Sequence, residues 1–386
     1  MLKAYLKILM RMGVRLFARL FFLFPIKKNR ILFEAFQGKS YSGNPKYISE
    51  YLEEHYPGGY ELVWTFLNEK SAPAGRKIRA VRMKSLRWYY YQATAGFIVS
   101  NFHPITVTPL RKGQIFIETW HAGGAYKRIG ESVIGSSRGV RRLQKWSREL
   151  EQKKISLYLS SSDLFTKYNI VEAHDYYGPV LPCGMPRNDI LMDERKREEV
   201  RERVRKSLGI KGAVVLYAPT WRGEVLVNNT KLTTVLDFDA LSKAIGNRYG
   251  EGAILVRSHY GDHNRYAGSA NVLDVSDYPD MQELLCAADI LITDYSSSIW
   301  DFALIGKPCY LYVPDLKEYG DQTRGFFVPI KEWPGKICES MEELTTAIET
   351  MDDEEHRRKA EEHLAAFGSY EKGNASEQVA EYIRSH

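Results

Sequence analysis

From residue 31 onward, apolar runs of strand length alternate with stretches whose apolar positions recur at helical spacing. "ILFEAF" (31–36) precedes "PKYISEYLEEHY" (45–56), and "ELVWTFL" (61–67) precedes "SLRWYYYQATA" (85–95). The short runs "FIVSNF" (97–102), "QIFIETW" (114–120) and "ISLYLSSS" (155–162) complete the first half. The second half repeats the rhythm with "AVVLYAPT" (213–220), "AILVRSH" (253–259), "NVLDVS" (271–276), "ILITDYS" (290–296) and "CYLYV" (309–313). Helical patterns fall between them near 237–246, 281–289 and 299–306. Many of the strand runs are apolar on both faces, which predicts parallel sheets covered by helices. A chain of 386 residues exceeds one ordinary core. The expectation is an α/β protein with two doubly wound, Rossmann-type domains facing a cleft. The first domain spans 31–192 and the second 210–345. "DERKREEVRERVRKSLG" (193–209) reads as a solvated hinge helix, and 346–386 as helices packing back on the body.

Residues 1–30 follow a different pattern. Lys3, Lys7, Arg11, Arg15 and Arg19 recur every fourth position among Leu6, Leu9, Met10, Val14, Leu16, Phe17 and the run Leu20 to Phe24. On a helix that spacing spreads the cations over one broad face opposite the apolar side chains. The apolar stretches are shorter than the roughly 20 residues a membrane span needs. An amphipathic helix lying on an anionic membrane surface is the reading, with packing against the body as the competing one. A cleavable leader fits poorly, because cations recur within the apolar region and no small-residue cleavage site follows.

Charge supports this division. The net charge is +6, yet eight cations and no acid lie before Glu34, so the remaining chain is slightly acidic. A nucleic-acid-binding body is therefore not expected. Cys183, Cys286, Cys309 and Cys338 lie far apart with no CxxC pair, which argues against a disulfide framework or a zinc site.

In doubly wound folds, ligands bind beyond the carboxyl ends of the strands. Four such ends carry unusual chemistry. "ETWHAGGAYKRIG" (118–130) places His121 just after a strand, with Gly123 and Gly124 where backbone can approach a ligand. "YAPTWRG" (217–223) ends in Thr220, Trp221 and Arg222. "VRSHYGDHN" (256–264) ends in Arg257, Ser258 and His259. "LITDYSSSIWDFALIGKP" (291–308) sets Ser296, Ser297 and Ser298 between Asp294 and Asp301 at a strand-to-helix junction. Ordinary helix capping needs one of those serines, whereas three hydroxyls at a helix start suit a pyrophosphate, with Arg222 or Arg257 balancing its charge. The segment lacks the glycines of a nucleophile elbow. His121 and His259, from opposite domains, would face one another as general base or phosphate partner. His103, His174 and His263 sit in more generic loops, and Trp120 and Trp221 read as wall or core.

"FEAFQGKSYSGNPKYISEYL" (33–52), "TWHAGGAYKRIG", "CGMPRND" (183–189), "YAPTWR", "RSHYGD" and "TDYSSSIWDFALIGKPCYLYVPD" (293–315) occur in an order that resembles the CDP-glycerol glycerophosphotransferase family. The resemblance runs from about residue 31 to 330. It differs from the family's commoner pattern at "WHAGGAYK" and at Tyr260, which leaves the acceptor open. It implies a GT-B-like fold, an N-terminal acceptor domain and a C-terminal CDP-donor domain. The implied reaction moves glycerol phosphate from CDP-glycerol to a hydroxyl of a lipid-linked saccharide or polymer, releasing CMP, in teichoic acid synthesis. The implied place is the cytoplasmic face of the membrane, as a peripheral protein.

By the same resemblance, His121 is the base on the acceptor hydroxyl and His259 stabilises donor phosphates. Arg222, Arg257, Thr220 and Ser296 to Ser298 hold the CDP moiety, while Asp294 or Asp301 orients the serine loop or contacts glycerol. No cofactor or tightly held metal is required by the sequence, and there is room for a loosely bound Mg²⁺. CDP-ribitol as donor and a nucleotide-sugar glycosyltransferase of the same fold are the alternatives. A non-catalytic membrane assembly protein is a third.

Overall fold

The computed structural model describes residues 2–102, 108–130, 153–220, 236–258, 271–317, 319, 325–350 and 352–386, with side chains from residue 10 onward. Two parallel sheets form from the alternating runs. The first comprises β1 (Lys27–Glu34), β2 (Glu61–Phe66), β3 (Arg79–Arg82), β4 (Ala95–Ser100), β5 (Ile115–Glu118), β6 (Leu157–Leu159) and β7 (Val180–Leu181), in the order 3-2-1-4-5-6-7. The second comprises β8 (Ala213–Ala218), β9 (Gly252–Val256), β10 (Val272–Asp274), β11 (Ile290–Thr293), β12 (Cys309–Tyr312) and β13 (Lys336–Cys338), in the order 10-9-8-11-12-13. The strand order reverses between β1 and β4 in one sheet and between β8 and β11 in the other. A ligand crevice opens at such reversals, beyond the carboxyl ends of the strands.

Each sheet is covered on both faces. Ile31 and Phe33 of β1 face opposite ways from Leu32, as strand geometry requires. The Phe33 face is covered by α2 (Gly43–His55), and the Leu32 face by α3 (Leu86–Thr94) through Trp88 and Tyr89. In the second sheet, Val214, Leu216 and Leu291 face α4 (Glu194–Ser207). Val215, Tyr217 and Ile254 instead meet α5 (Phe238–Tyr249). At about 1.5–3 kcal/mol for each large apolar side chain fully buried, these clusters dominate the stability. All four cysteines are free and buried among them.

The remaining helices tie the halves together. α4 buries only Val200 and Val204, starts on an Asp193 cap, and packs on α6 (Met281–Ala287). After α7 (Ser298–Ala303) and β13 come α8 (Met341–Thr350), α9 (Asp353–Ala366) and α10 (Ala375–Ser385). α10 returns to the first sheet, where Val379 and Ile383 join the core beneath α2. In the other direction, the loop after β5 crosses to the second half. Tyr126 is fully buried there, its hydroxyl 2.8 Å from His363 Nε2, and Phe327 N–H donates to the Tyr126 carbonyl at 2.9 Å. Lys46 of α2 pairs with Asp280 and, at 3.3 Å, with Glu283.

The N-terminal segment forms α1 (Leu2–Arg19). Ala18 is buried, and Val14 and Phe21 pack against the α3 cluster. Met10, Met12, Leu16, Leu20 and Leu23 remain exposed. Among the described residues, no helix is long and apolar enough to cross a membrane.

Candidate active site

A cavity of about 450 Å³ lies between the carboxyl ends of the two sheets. His121, Arg257, Ser296, Ser297, Ser298 and Asp301 all line it, so six positions expected from separate strand ends meet in one place. His259 and Arg222 lie outside the described residues, as do Trp221, His103 and His263.

His121 is set by the end of β5. Glu118 Oε1 accepts the Trp120 N–H at 2.9 Å, and Trp120 takes a left-handed backbone conformation (φ 51°) that turns the chain into the cleft. The imidazole stacks on Phe102 with ring centroids 5.0 Å apart, and its Nδ1 lies 3.1 Å from the Asn101 carbonyl. A carbonyl only accepts, so Nδ1 carries the proton in the neutral ring and Nε2 carries the lone pair. Burial pushes the imidazole pKa down to about 4; the Asn101 carbonyl pulls it up, and the Arg187 charge lowers it further. At neutral pH this ring is uncharged and able to take a proton.

Arg187 is the residue that sequence reasoning left without a role. Its Nη1 donates to the His121 carbonyl at 2.6 Å, and its Nη2 donates to both Asp301 oxygens at 3.0 and 2.7 Å. Asn188 and Gln282 each add a hydrogen bond to Asp301 at 3.0 Å. Both carboxylate oxygens of Asp301 are thereby engaged, and it anchors the cleft floor. Glu371, which follows α9, accepts from Asn188 at 2.9 Å, from Met185 N–H at 3.0 Å and from Trp300 Nε1 at 3.2 Å. Burial lifts its carboxyl to about 7, against the pull of those donors. The available signal was "PRND" beside an apolar run, three polar side chains in a segment too apolar to be surface.

On the opposite wall, Ser296 Oγ accepts the Ser298 N–H at 3.3 Å and its hydroxyl at 3.0 Å. Ser297, at the start of α7, makes no capping bond with its side chain. One serine therefore caps, as ordinary helix chemistry asks, and all three line the cavity. Arg257 donates to the Tyr278 carbonyl at 2.7 Å; burial lowers its pKa while Asp280 counteracts. Thr220 and Asp294 are paired behind this wall, the threonine N–H and hydroxyl both 2.8 Å from Asp294 Oδ1. Gly123 and Gly124 serve packing: a Cβ on Gly123 would overlap the Trp300 indole, and one on Gly124 the Tyr126 ring. Among the described residues, no group of histidine, cysteine and carboxylate side chains could hold a metal ion.

The sequence model of the family described as CDP-Glycerol:Poly(glycerophosphate) glycerophosphotransferase matches residues 16–385. The chain is 30% identical to a teichoic acid poly(glycerol phosphate) polymerase of Bacillus spizizenii, over 95% of this chain and 94% of that one. It is 31% identical to a teichoic acid glycerol-phosphate transferase of Staphylococcus aureus, over 92% and 93% of the two chains. Among solved structures, the wall teichoic acid polymerase TagF superposes with a TM-score of 0.85 at 27% identity, covering 100% of this chain and 98% of that one. The two facing sheets are thus a GT-B-like arrangement in a transferase of substituted phosphate groups. The chain belongs to the CDP-glycerol:poly(glycerophosphate) glycerophosphotransferase family, whose members transfer glycerol phosphate from CDP-glycerol in teichoic acid synthesis.

Proposed function

We propose that His121 Nε2 removes the proton from an acceptor hydroxyl at the end of a polymer chain. The acceptor oxygen forms a new bond to the glycerol-bearing phosphorus, the pyrophosphate P–O bond breaks, and CMP leaves with the electron pair. Arg257 and Ser296 to Ser298 hold the donor diphosphate, and Arg222 and His259 carry over from the sequence as further donor-side groups. One observation carries this reading: a neutral, oriented imidazole and a wall of hydroxyls plus a guanidinium share one cavity. Reactions of this kind need positioning and charge stabilisation more than covalent help from the protein. A diphosphate in the cavity also raises the His121 pKa, since a nearby anion favours imidazolium, which brings the base closer to its useful range.

The test is nucleotide release from CDP-glycerol, CDP-ribitol, UDP-sugars and GDP-sugars, each with a poly(glycerol phosphate) acceptor. CMP release from CDP-glycerol, lowered by about 10² or more in His121→Asn while donor binding persists, is expected. Undiminished turnover in His121→Asn, or UDP or GDP release, overturns the assignment.

The same reading extends to place. The exposed Met10, Met12, Leu16, Leu20 and Leu23 lie among the exposed cations Arg11, Arg19, Lys27 and Lys28. An apolar strip rimmed by cations suits the surface of an anionic bilayer. We place the enzyme there as a peripheral protein on the cytoplasmic face, where a lipid-linked acceptor reaches the cleft.

A further inference from the structure

The segment 276–282, which follows β10 and enters α6, forms one wall of the cavity through Ser276, Tyr278, Pro279, Met281 and Gln282. Arg257 is tied to this wall twice. Its Nη1 donates to the Tyr278 carbonyl at 2.7 Å, and the Asp280 carboxylate favours its charged form against the cost of burial. Asp280 is 2% exposed, and its Oδ1 accepts the Gln282 N–H at 3.0 Å as the cap of α6. Its other oxygen is held from the first half of the molecule. Lys46 Nζ and, at 3.1 Å, the Tyr47 hydroxyl of α2 both donate to Oδ2.

One buried carboxylate thus answers to two cations from opposite halves. Arg257 lines the cavity, whereas Lys46, itself buried, stands outside it. Glu283, 3.3 Å from Lys46, has further partners in Arg203 at 3.1 Å and the Tyr278 hydroxyl at 2.7 Å, so Asp280 is the carboxylate that depends on the lysine. A buried charge is costly unless it is paired. With Lys46 in place, Asp280 is compensated and the Arg257 charge is available to the cavity. Without it, Asp280 draws on Arg257, and a phosphate in the cavity must compete for that guanidinium.

We propose that Lys46 is a positioning residue for the donor: by compensating Asp280 across the two halves, it leaves the Arg257 guanidinium free for the donor diphosphate. The proposal rests on the role given to Arg257 above. Donor affinity then depends on a side chain of the first half that never touches the donor. The contact between α2 and the 276–282 wall becomes part of the donor site.

The test is calorimetric titration of the full chain with CDP-glycerol and with cytidine, which carries no phosphate. Lys46→Met is expected to weaken CDP-glycerol binding about tenfold or more and to leave cytidine binding unchanged, whereas Lys46→Arg keeps both. Asp280→Asn retains the capping oxygen of α6 and removes the charge. In that background, adding Lys46→Met is expected to leave CDP-glycerol affinity unchanged, an arm that stands even where Lys46→Met alone fails to fold. Equal losses for CDP-glycerol and cytidine would show a distorted wall and overturn the proposal. So would a wild-type affinity for CDP-glycerol in Lys46→Met, or a further fall on adding it to Asp280→Asn. Arg257→Gln separates the two readings. If it binds CDP-glycerol as the wild type does, the donor role of Arg257 falls and this proposal with it; if it binds weakly while Lys46→Met binds normally, only the coupling falls.

Discussion

Arg187 and Asp301, 114 residues apart, form a buried two-point ion pair across the cleft floor, with Nη2 at 3.0 and 2.7 Å from the two carboxylate oxygens. The same guanidinium holds the His121 carbonyl, so one side chain contributes both to the contact between the halves and to the placement of His121. Removing either partner leaves the other charge buried and uncompensated, which costs about 3–5 kcal/mol. Arg187→Leu and Asp301→Leu are each expected to lose that much in denaturant unfolding, while the double variant recovers part of it. Single variants within about 0.5 kcal/mol of wild type would contradict the anchor role.

The depressed His121 pKa fixes the pH response. An unperturbed imidazole, at about 6.5, would lose base function below neutrality. Here burial holds the ring neutral down to about 4. The acid limb of kcat/KM, which reports the free enzyme, should therefore fall well below pH 6. A limb centred at about 6.5 would show that water reaches this imidazole freely.

Stability against acid is a balance of opposite signs. His121, His356 and His363 have folded pKa values lowered from 6.5 to about 4, so the unfolded chain binds their protons first and stability falls on acidification through that window. Glu34 and Glu371 are raised from 4.5 to about 7 by burial, so the folded chain binds their protons first and acidification stabilises it. Glu34→Gln removes one compensating group. Between pH 7 and 5 its stability should fall more steeply than wild type, by about 1.4 kcal/mol per pH unit. Parallel curves from chemical denaturation at several pH values would refute the burial of an ionisable Glu34.

Gly123 has no room for a methyl group against Trp300. Gly123→Ala pushes the loop off the indole that binds Glu371. Overpacking of this kind costs about 1–3 kcal/mol, and a shifted loop lowers turnover as well. Thermal unfolding and steady-state rates measure both; wild-type values in both assays would mean that the loop yields freely.

Leu16 and Leu23 are 67% and 88% exposed, whereas Ala18 on the docked face is 4%. Leu16→Asp with Leu23→Asp should abolish sedimentation with vesicles containing anionic lipid and leave the melting temperature unchanged. Equal cosedimentation of wild type and variant would assign that strip to something other than lipid.

Much of the fold was legible because strand runs apolar on both faces leave few alternatives to covered parallel sheets. "ILFEAF" and "AVVLYAPT" became the central β1 and β8, and the serine stretch fell at the reversal beside β11. Asp301 was visible as polar chemistry, but its partner was not. Arg187, Asn188 and Gln282 meet it only through tertiary approach, and no local periodicity encodes that. Gly123 and Gly124 show a related limit: a glycine needed for closeness to a ligand and one needed for closeness to an aromatic ring look identical in sequence.

The crossing of Tyr126 into the second core, and of α10 into the first, has an evolutionary corollary. Each half of the molecule is completed by a strand of chain encoded with the other. A second half exchanged between relatives would arrive without its Tyr126 plug and would carry away the helix that closes the first half. Recombination at the interdomain junction alone is therefore disfavoured, and new specificities in this architecture are expected to arise by substitution within the cavity rather than by shuffling of its halves.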